Sequence, residues 1–456
     1  MALIIDGYDK FAAFITWHPS VQFIHLQWTD YTSTVRVRIL TLRHFQALLK
    51  AKSNLALCRH YLCLIDIGLP LTNVDPGRPA GQSFLLPDFN TIHLYPSLNT
   101  AEEHAVILCY FGNGTPLHQD MHHSTLTLSA PFCPRRALLQ AIQAGEEIGL
   151  YFRVGFELEF SAVQPKHSAK AAEIHASSGL RAIESFMLPV LSTITKQLES
   201  AANVPVEQFH CEGSDNAYEL VLGHLAPMEA VDGLVTAKET TRRVCRENGI
   251  EVLFNPTMPE INGLHTNISV QSLQGEIGEV EESFLAGMMK HLGALCAFAM
   301  PRPEGYARTR AGQWCAGRWV SWGTDNREGP VRKRGRGCWE VRLPDASAQM
   351  YLFVAGLVIA GVEGVRRGLE LGVRDCQVDV AMLTEEERLE LGVTEQLPTK
   401  PDEAFQLLLK DELLMQSIGE DLLTMYVTIQ ELYNKKLAEV GPEGSEERKA
   451  WLMARI

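Results

Sequence analysis

The chain reads as an α+β protein, with a small N-terminal sheet domain over residues 1–130 and a large C-terminal domain over residues 131–456. Three observations predict this. Residues 22–28 and 34–40 alternate polar and apolar and are separated by a turn-like Asp30-Tyr31-Thr32-Ser33, the pattern of a strand pair. A change of character follows Ser129-Ala130-Pro131, where Pro134 and Arg135 open a helical period running to Glu147. Beyond that point strands carrying acidic residues are interleaved with long amphipathic helices.

The elements follow in order. After the strand pair comes a loop rich in Pro and Gly, residues 68–82, and then Leu85-Leu86-Pro87-Asp88. In the second domain, residues 183–198 form one amphipathic helix. Another spans 228–248 and stops at Asn248-Gly249. Residues 350–362 are the longest apolar run; they are too short to span a bilayer, end at Glu363 and read as a buried helix. The tail, 401–438, keeps a helical period throughout. No internal repeat or low-complexity stretch is visible.

Composition narrows the function. The 456 residues are 46% hydrophobic and 21% charged, enough to bury a large core. A formal net charge of −14 argues against a general nucleic-acid or anionic-membrane partner, while leaving room for a local basic pocket for phosphates. Ten cysteines without a CxxC pair predict reduced thiols rather than a disulfide framework. The first ten residues have no basic flank followed by a long apolar stretch. The expectation is a cytoplasmic protein.

The chemistry lies in an acidic constellation. In Gly155-Phe156-Glu157-Leu158-Glu159-Phe160 the two glutamates share one strand face and the apolar residues the other. Taken alone, such a pair is usually a solvated face. Glu212 and Glu219 flank the turn-forming Gly213-Ser214-Asp215-Asn216, so a hairpin would hold both at one end of adjacent strands. Gly263-Leu264-His265-Thr266-Asn267-Ile268-Ser269 puts His265 on the polar face of a short strand, and Glu340 and Arg342 share a face of another. Five glutamates and a histidine on or beside strands suit hard divalent ions, for which oxygen ligands are preferred and an imidazole is tolerated. Two such ions gripping nucleotide phosphates are a recurrent solution for phosphoryl transfer.

The order and spacing of these pieces resemble the glutamine synthetase family through nearly the whole chain. Gly155 to Phe160 resembles its GxExEF strand, and Gly263, His265 and Ser269 its GxHxxxS strand. Trp319 to Arg327 resembles the AWG-x-DNR signature, and Glu340 to Ala348 the E-[YV]-R-x-PD-xxAN element. The resemblance implies an N-terminal β-grasp-like domain and a catalytic domain with a curved antiparallel sheet surrounded by helices. It also implies two Mg²⁺ or Mn²⁺ ions per active site, with ATP as co-substrate. Glu159, Glu212 and Glu219 would hold one ion, and Glu157, His265 and Glu340 the other. Arg332 and Arg342 would balance phosphate charge, with Arg327 in the same cluster, and Arg308 would grip the substrate's α-carboxylate. Gly263 would line the acid site; Asn267 and Ser269, with Arg332, would lie toward the nucleotide. Family members form rings, so a homo-oligomer, decamer or dodecamer, is expected.

The likeness breaks around the second chemical step. The family's flap glutamate is replaced by Trp314, which cannot act as a base but offers an apolar face. Its ammonium-binding DGSS motif is absent, the corresponding stretch reading Asn73-Val74-Asp75-Pro76-Gly77-Arg78, and the hairpin has Ala217 in place of the usual glutamine. The acid-side loop carries Glu260, and Cys338 replaces a basic residue near the nucleotide. The expected function is an ATP-dependent ligase joining glutamate or a related acid to an organic amine through an acyl phosphate. The alternatives are a catalytically silent scaffold of the same fold and an ordinary glutamine synthetase.

Overall fold

The β-branched and aromatic residues of β1 (Val21–Thr29) and β2 (Val35–Thr41) pair antiparallel around a turn that the sequence makes for itself. The Asp30 carboxylate accepts from the backbone N–H groups of Thr32 and Thr34 at 2.9 and 3.0 Å, and Ser33 takes the left-handed conformation at φ 66°. This computed structural model describes residues 7–64, 81–95, 103–112, 130–163, 178–184, 186–213, 216–256, 262–273, 277–310, 312 and 315–453. The loop 68–80 and its Asn73-to-Arg78 stretch, Glu260 and Trp314 lie outside them.

Around that hairpin, β3 (Leu55–Cys58), β4 (Gln82–Pro87), β5 (His93–Leu94) and β6 (Glu103–Gly112) complete a small mixed sheet of order β2-β1-β6-β4-β3, with β5 also on β6. The pair β1–β6 is parallel, as a grasp-like sheet requires. Two helices missing from the strand-rich reading, Gly7–Trp17 and Leu42–Lys50, bring Phe11 and Phe45 together with ring centroids 5.2 Å apart. Thr41 caps the second helix by accepting from His44 N–H.

The larger sheet is built from β7 (Leu150–Val163), β8 (Val206–Cys211), β9 (Ala217–Leu225), β10 (Glu251–Leu253), β11 (Leu264–Ser272), β12 (Trp322–Thr324), β13 (Val331–Gly335) and β14 (Cys338–Val341). Its order is β12-β13-β14-β11-β7-β9-β8, with β10 on β7. Neighbours are antiparallel except β12 and β13, which run parallel at the edge. Phe156, Leu158 and Phe160 point into the core, as alternation predicts.

Helix Met350–Arg367 is buried along most of its length between Ile277–Ala299 and Pro134–Glu146, which explains the apolar run. A Cβ on Gly287 would fall 2.1 Å from the Ala360 carbonyl oxygen, so glycine permits the close approach of the first two. The helices predicted at 183–198 and 228–248 are observed as Met187–Ala202 and Pro227–Glu247. The tail is three helices, Pro401–Lys410, Glu412–Ile418 and Glu420–Val440. Asp411 breaks the period by capping Leu414 N–H, and Gly419 breaks it again at φ 120°. Among the described residues no helix is long and apolar enough to cross a membrane.

The two sheets are fastened by buried polar bonds. Gln349 and Gln430 each donate at 2.6 Å to the Asp30 and Tyr31 carbonyls in the β1–β2 turn. Arg135 reaches Asp88 of the small sheet at 2.8 Å and Asp232 at 2.7 Å, while the Tyr351 hydroxyl donates to Asp232.

Candidate active site

The antiparallel register decides which polar side chains meet. His265 on β11 stands opposite Glu157 on β7, Glu159 opposite Glu219 on β9, and Glu219 opposite His210 on β8. On the other flank Asn267 stands opposite Glu340 on β14, and Glu340 opposite Arg332 on β13. All are on the face turned away from the Phe-rich core, so a diagonal row crosses six strands.

The row is tightly bonded. His265 Nδ1 lies 3.2 Å from Glu157 Oε2 and 3.3 Å from Glu340 Oε1, and its Nε2 lies 3.5 Å from Glu159. Asn267 donates to Glu157 at 3.0 Å, and the Gly263 N–H donates to Glu159 at 2.6 Å. Glu340 is 1% exposed and accepts from Arg332 at 2.9 Å and from Arg342. Two groups gather possible ligand atoms within 4.8 Å of one another: Glu157, Glu219 and His265, and His210, Glu212 and Glu219.

Burial and charge act on the row's members in opposite directions. Burial, and then the charges of Glu157, Glu159, Glu212 and Glu340, push the Glu219 carboxyl up to about 9. Glu157 goes the other way. Burial alone would raise it, but the bond to His265, with Asn267 and Arg334, brings it down to about 2. Burial likewise opposes ionisation of Glu340, and His265, Arg342 and Arg332 overcome it. The hydrogen bond from His210 lowers Glu212, and the same bond raises His210. Burial and then the neighbouring carboxylates disfavour the Glu219 charge, a divalent ion among these oxygens would offset both, and the donor set fits such ions.

The structure brings eight of the sequence-predicted residues into this row: the six carboxylate and imidazole groups, Asn267 and Arg332. Arg342 joins through Glu340, and Ser269 continues the same face of β11. Gly263 sits beneath Arg308 and His265; a Cβ there would be 2.7 and 2.9 Å from their nitrogens. Arg308 is fully buried, and its terminal nitrogens donate to the carbonyls of Arg342, Leu343 and Pro344 at 2.7–2.9 Å. Its Nε has no partner among the described residues and Nη2 carries a second N–H, so two donors remain for a carboxylate. Arg327 is exposed between β12 and β13 and joins none of these described pairs.

Two residues escaped the sequence reading. His210 lies 3.0 Å from Glu212 and 3.8 Å from Glu219. Arg334 donates to Glu157 at 3.2 Å and to Asn267 at 3.1 Å. Alternation could have found both, since His210 is two residues before Glu212 and Arg334 two after Arg332.

Residues 131–440 match the glutamine synthetase catalytic domain. Protein fluG of Emericella nidulans is 30% identical over 99% of this chain, which spans only about half of that protein (50%). The gamma-glutamylpolyamine synthetase GlnA3 of Streptomyces coelicolor is 29% identical over 66% of this chain and 69% of its own. A solved structure titled as a GmaS/ADP complex superposes with a TM-score of 0.77 at 20% identity, covering 94% of this chain and 96% of the other, a likeness of fold. Match, fold and site agree: the chain belongs to the glutamine synthetase family, ATP-dependent ligases that form carbon–nitrogen bonds and generally use Mg²⁺ or Mn²⁺.

Proposed function

We propose that this protein joins glutamate or a related carboxylic acid to an organic amine, at the expense of ATP, through an acyl phosphate. The observation that carries the reading is the pairing of a complete acidic row with an altered acceptor side. A carboxylate is a poor electrophile; transfer of a phosphoryl group to one of its oxygens, with ADP departing, turns that oxygen into a leaving group. The amine nitrogen then attacks the acyl carbon, phosphate leaves, and the nitrogen loses a proton.

Glu159, Glu212 and Glu219 would hold one divalent ion, and Glu157, His265 and Glu340 the other. When bound, these ions supply neutralisation of phosphate charge. Arg332 and Arg342, already oriented by Glu340, are the groups suited to the charge that develops on the transferred phosphoryl oxygens. By resemblance Arg308, Gly263 and Glu260 would serve the acid side, and Asn267 and Ser269 the nucleotide. By the same resemblance Trp314 takes the place of the family's flap glutamate, and a flat apolar side chain there would favour an alkyl amine over ammonium. The relative named gamma-glutamylpolyamine synthetase supports an organic amine. The ten scattered cysteines, without a CxxC pair, support a cytoplasmic setting, and the family supports a homo-oligomeric ring.

The test is phosphate release from Mg-ATP, screening glutamate and other acids against ammonium, hydroxylamine and a panel of alkyl amines. Acid-dependent release that rises with an alkyl amine and not with ammonium supports the reading. Release with ammonium alone returns the protein to ordinary glutamine synthesis. Silence with every pair, in protein that binds nucleotide and metal, favours a scaffold. Trp314→Glu should shift preference toward ammonium; an unchanged acceptor range removes Trp314 from the acceptor site.

A further inference from the structure

Behind the segment that carries Arg308 is a cavity of about 320 Å³ that shares no residue with the acidic row. Tyr306, Thr309 and Arg310 line it, whereas the Arg308 side chain runs the other way, to the carbonyls at 342–344. The C-terminal helix Glu446–Met453 closes its far side through Arg448 and Leu452. The size is at the lower end for small-ligand pockets, roughly 300–1,000 Å³.

Two features of the lining point to a ligand. The first is its charge. Five cationic side chains (Arg310, Arg318, Lys400, Arg448 and Lys449) face two carboxylates, Glu304 and Glu443, in a chain whose formal net charge is −14. One pair is already matched, Arg448 Nε with Glu304 where both side chains are almost fully buried, which leaves four cations and Glu443. The second is unmet hydrogen bonding. Tyr306 is 6% exposed and its hydroxyl has no partner among the described residues; the same holds for Arg448 Nη2 and for the carboxylate oxygen Glu304 Oε2, which calls for a hydroxyl on the ligand. Buried polar groups are almost always satisfied, and a hydroxyl and a guanidinium N–H left open beside a basic cavity provide two donors for an anion. Pro303 and Leu452 supply apolar wall for a carbon skeleton.

We propose that this cavity is a second small-molecule site, separate from the ligase centre, that takes a small organic dianion: a dicarboxylate or a phosphate monoester. The anionic groups would meet Arg318 and Lys400 at the rim and the Tyr306 hydroxyl and Arg448 inside. Arg310 links this site to the ligase centre, being two residues beyond Arg308.

Isothermal titration of the assembled protein with succinate and, separately, with glycerol 3-phosphate tests this without any turnover. Saturable binding of either probe, weakened at least tenfold in the rim variant Arg318→Glu/Lys400→Glu and unchanged in Arg332→Gln, supports the site. The probe that binds distinguishes a carboxylate from a phosphate ligand. Both rim positions are on the surface side of the cavity, so the double variant should keep the wild-type melting temperature, and circular dichroism checks this. Affinity that survives the rim variant, or that is lost in Arg332→Gln, puts the anion in the ligase centre and overturns the proposal. So does the absence of saturable binding of both probes up to about 10 mM. None of these outcomes depends on which acid or amine the ligase centre accepts.

Discussion

Glu157 and His265 are register partners on β7 and β11, and the imidazole nitrogen 3.2 Å from Glu157 is also 3.3 Å from Glu340 on β14. One ring therefore ties three strands at the point where the carboxylates are densest. Under the two-ion assignment, His265→Ala should abolish one of two Mn²⁺ equivalents per chain. Phosphate release should fall by at least about 100-fold, because losing a ligand costs more than losing an outer-shell partner, which costs about 10–100-fold. A Mn²⁺ titration followed by electron paramagnetic resonance counts the ions; two equivalents in the variant would sink the assignment.

Arg334 competes with any cation for Glu157, since its guanidinium donates to that carboxylate and to Asn267. Taking away a positive charge next to a cation site strengthens the site. Arg334→Ala should bind Mn²⁺ about three- to tenfold more tightly, which corresponds to roughly 0.7–1.4 kcal/mol. Maximal phosphate release should drop if the same guanidinium also meets a phosphate. Weaker metal binding in this variant would mean that Arg334 acts by holding Glu157 in place.

Glu340 separates two guanidiniums, those of Arg332 and Arg342, at a position with 1% exposure. Removing one member of a buried ionic group typically costs about 3–5 kcal/mol, because the remaining charges are left uncompensated. Glu340→Ala should therefore lower the urea midpoint as well as activity. Glu340→Gln, which keeps an acceptor oxygen, should lose most activity at a smaller stability cost. Equal midpoints for Glu340→Ala and wild type would show that the arginines find other partners.

Asp88 gives stability a dependence on acid. Burial alone would raise its pKa, but Arg135 and the Asn90 N–H groups overcome this and hold it below the usual carboxylate range. A depressed folded pKa contributes stability that is fully present above the unfolded value, near 3.9, and disappears as pH falls through the folded one. Urea midpoints should decline below about pH 4, and less steeply in Asp88→Asn, which should already be destabilised at pH 7. Parallel pH curves for the two proteins would show that Asp88 contributes nothing to the acid response.

Local sequence determined a good deal of this protein by itself. The β1–β2 hairpin follows from Asp30 closing its own turn, and the inward Phe156, Leu158 and Phe160 follow from alternation, which likewise puts Glu157 and Glu159 on the opposite face. The buried helix at Met350–Arg367 is legible in an apolar run that continues with no polar stripe. Each of these rests on interactions within a few residues.

Tertiary structure decided which residues meet. Nothing local sets Glu159 opposite Glu219 or Glu340 opposite Arg332; strand order and register do, across separations that periodicity does not encode. The same is true of Arg334 reaching Glu157, of the Arg135 link between the sheets, and of Arg308 directing its guanidinium to three backbone carbonyls. The tail keeps a helical period over 401–438, and Asp411 and Gly419 divide it into three helices that pack back on the core. Side-chain type can be read from the chain alone. The field that raises one glutamate and lowers another exists only once the strands bring their charges together.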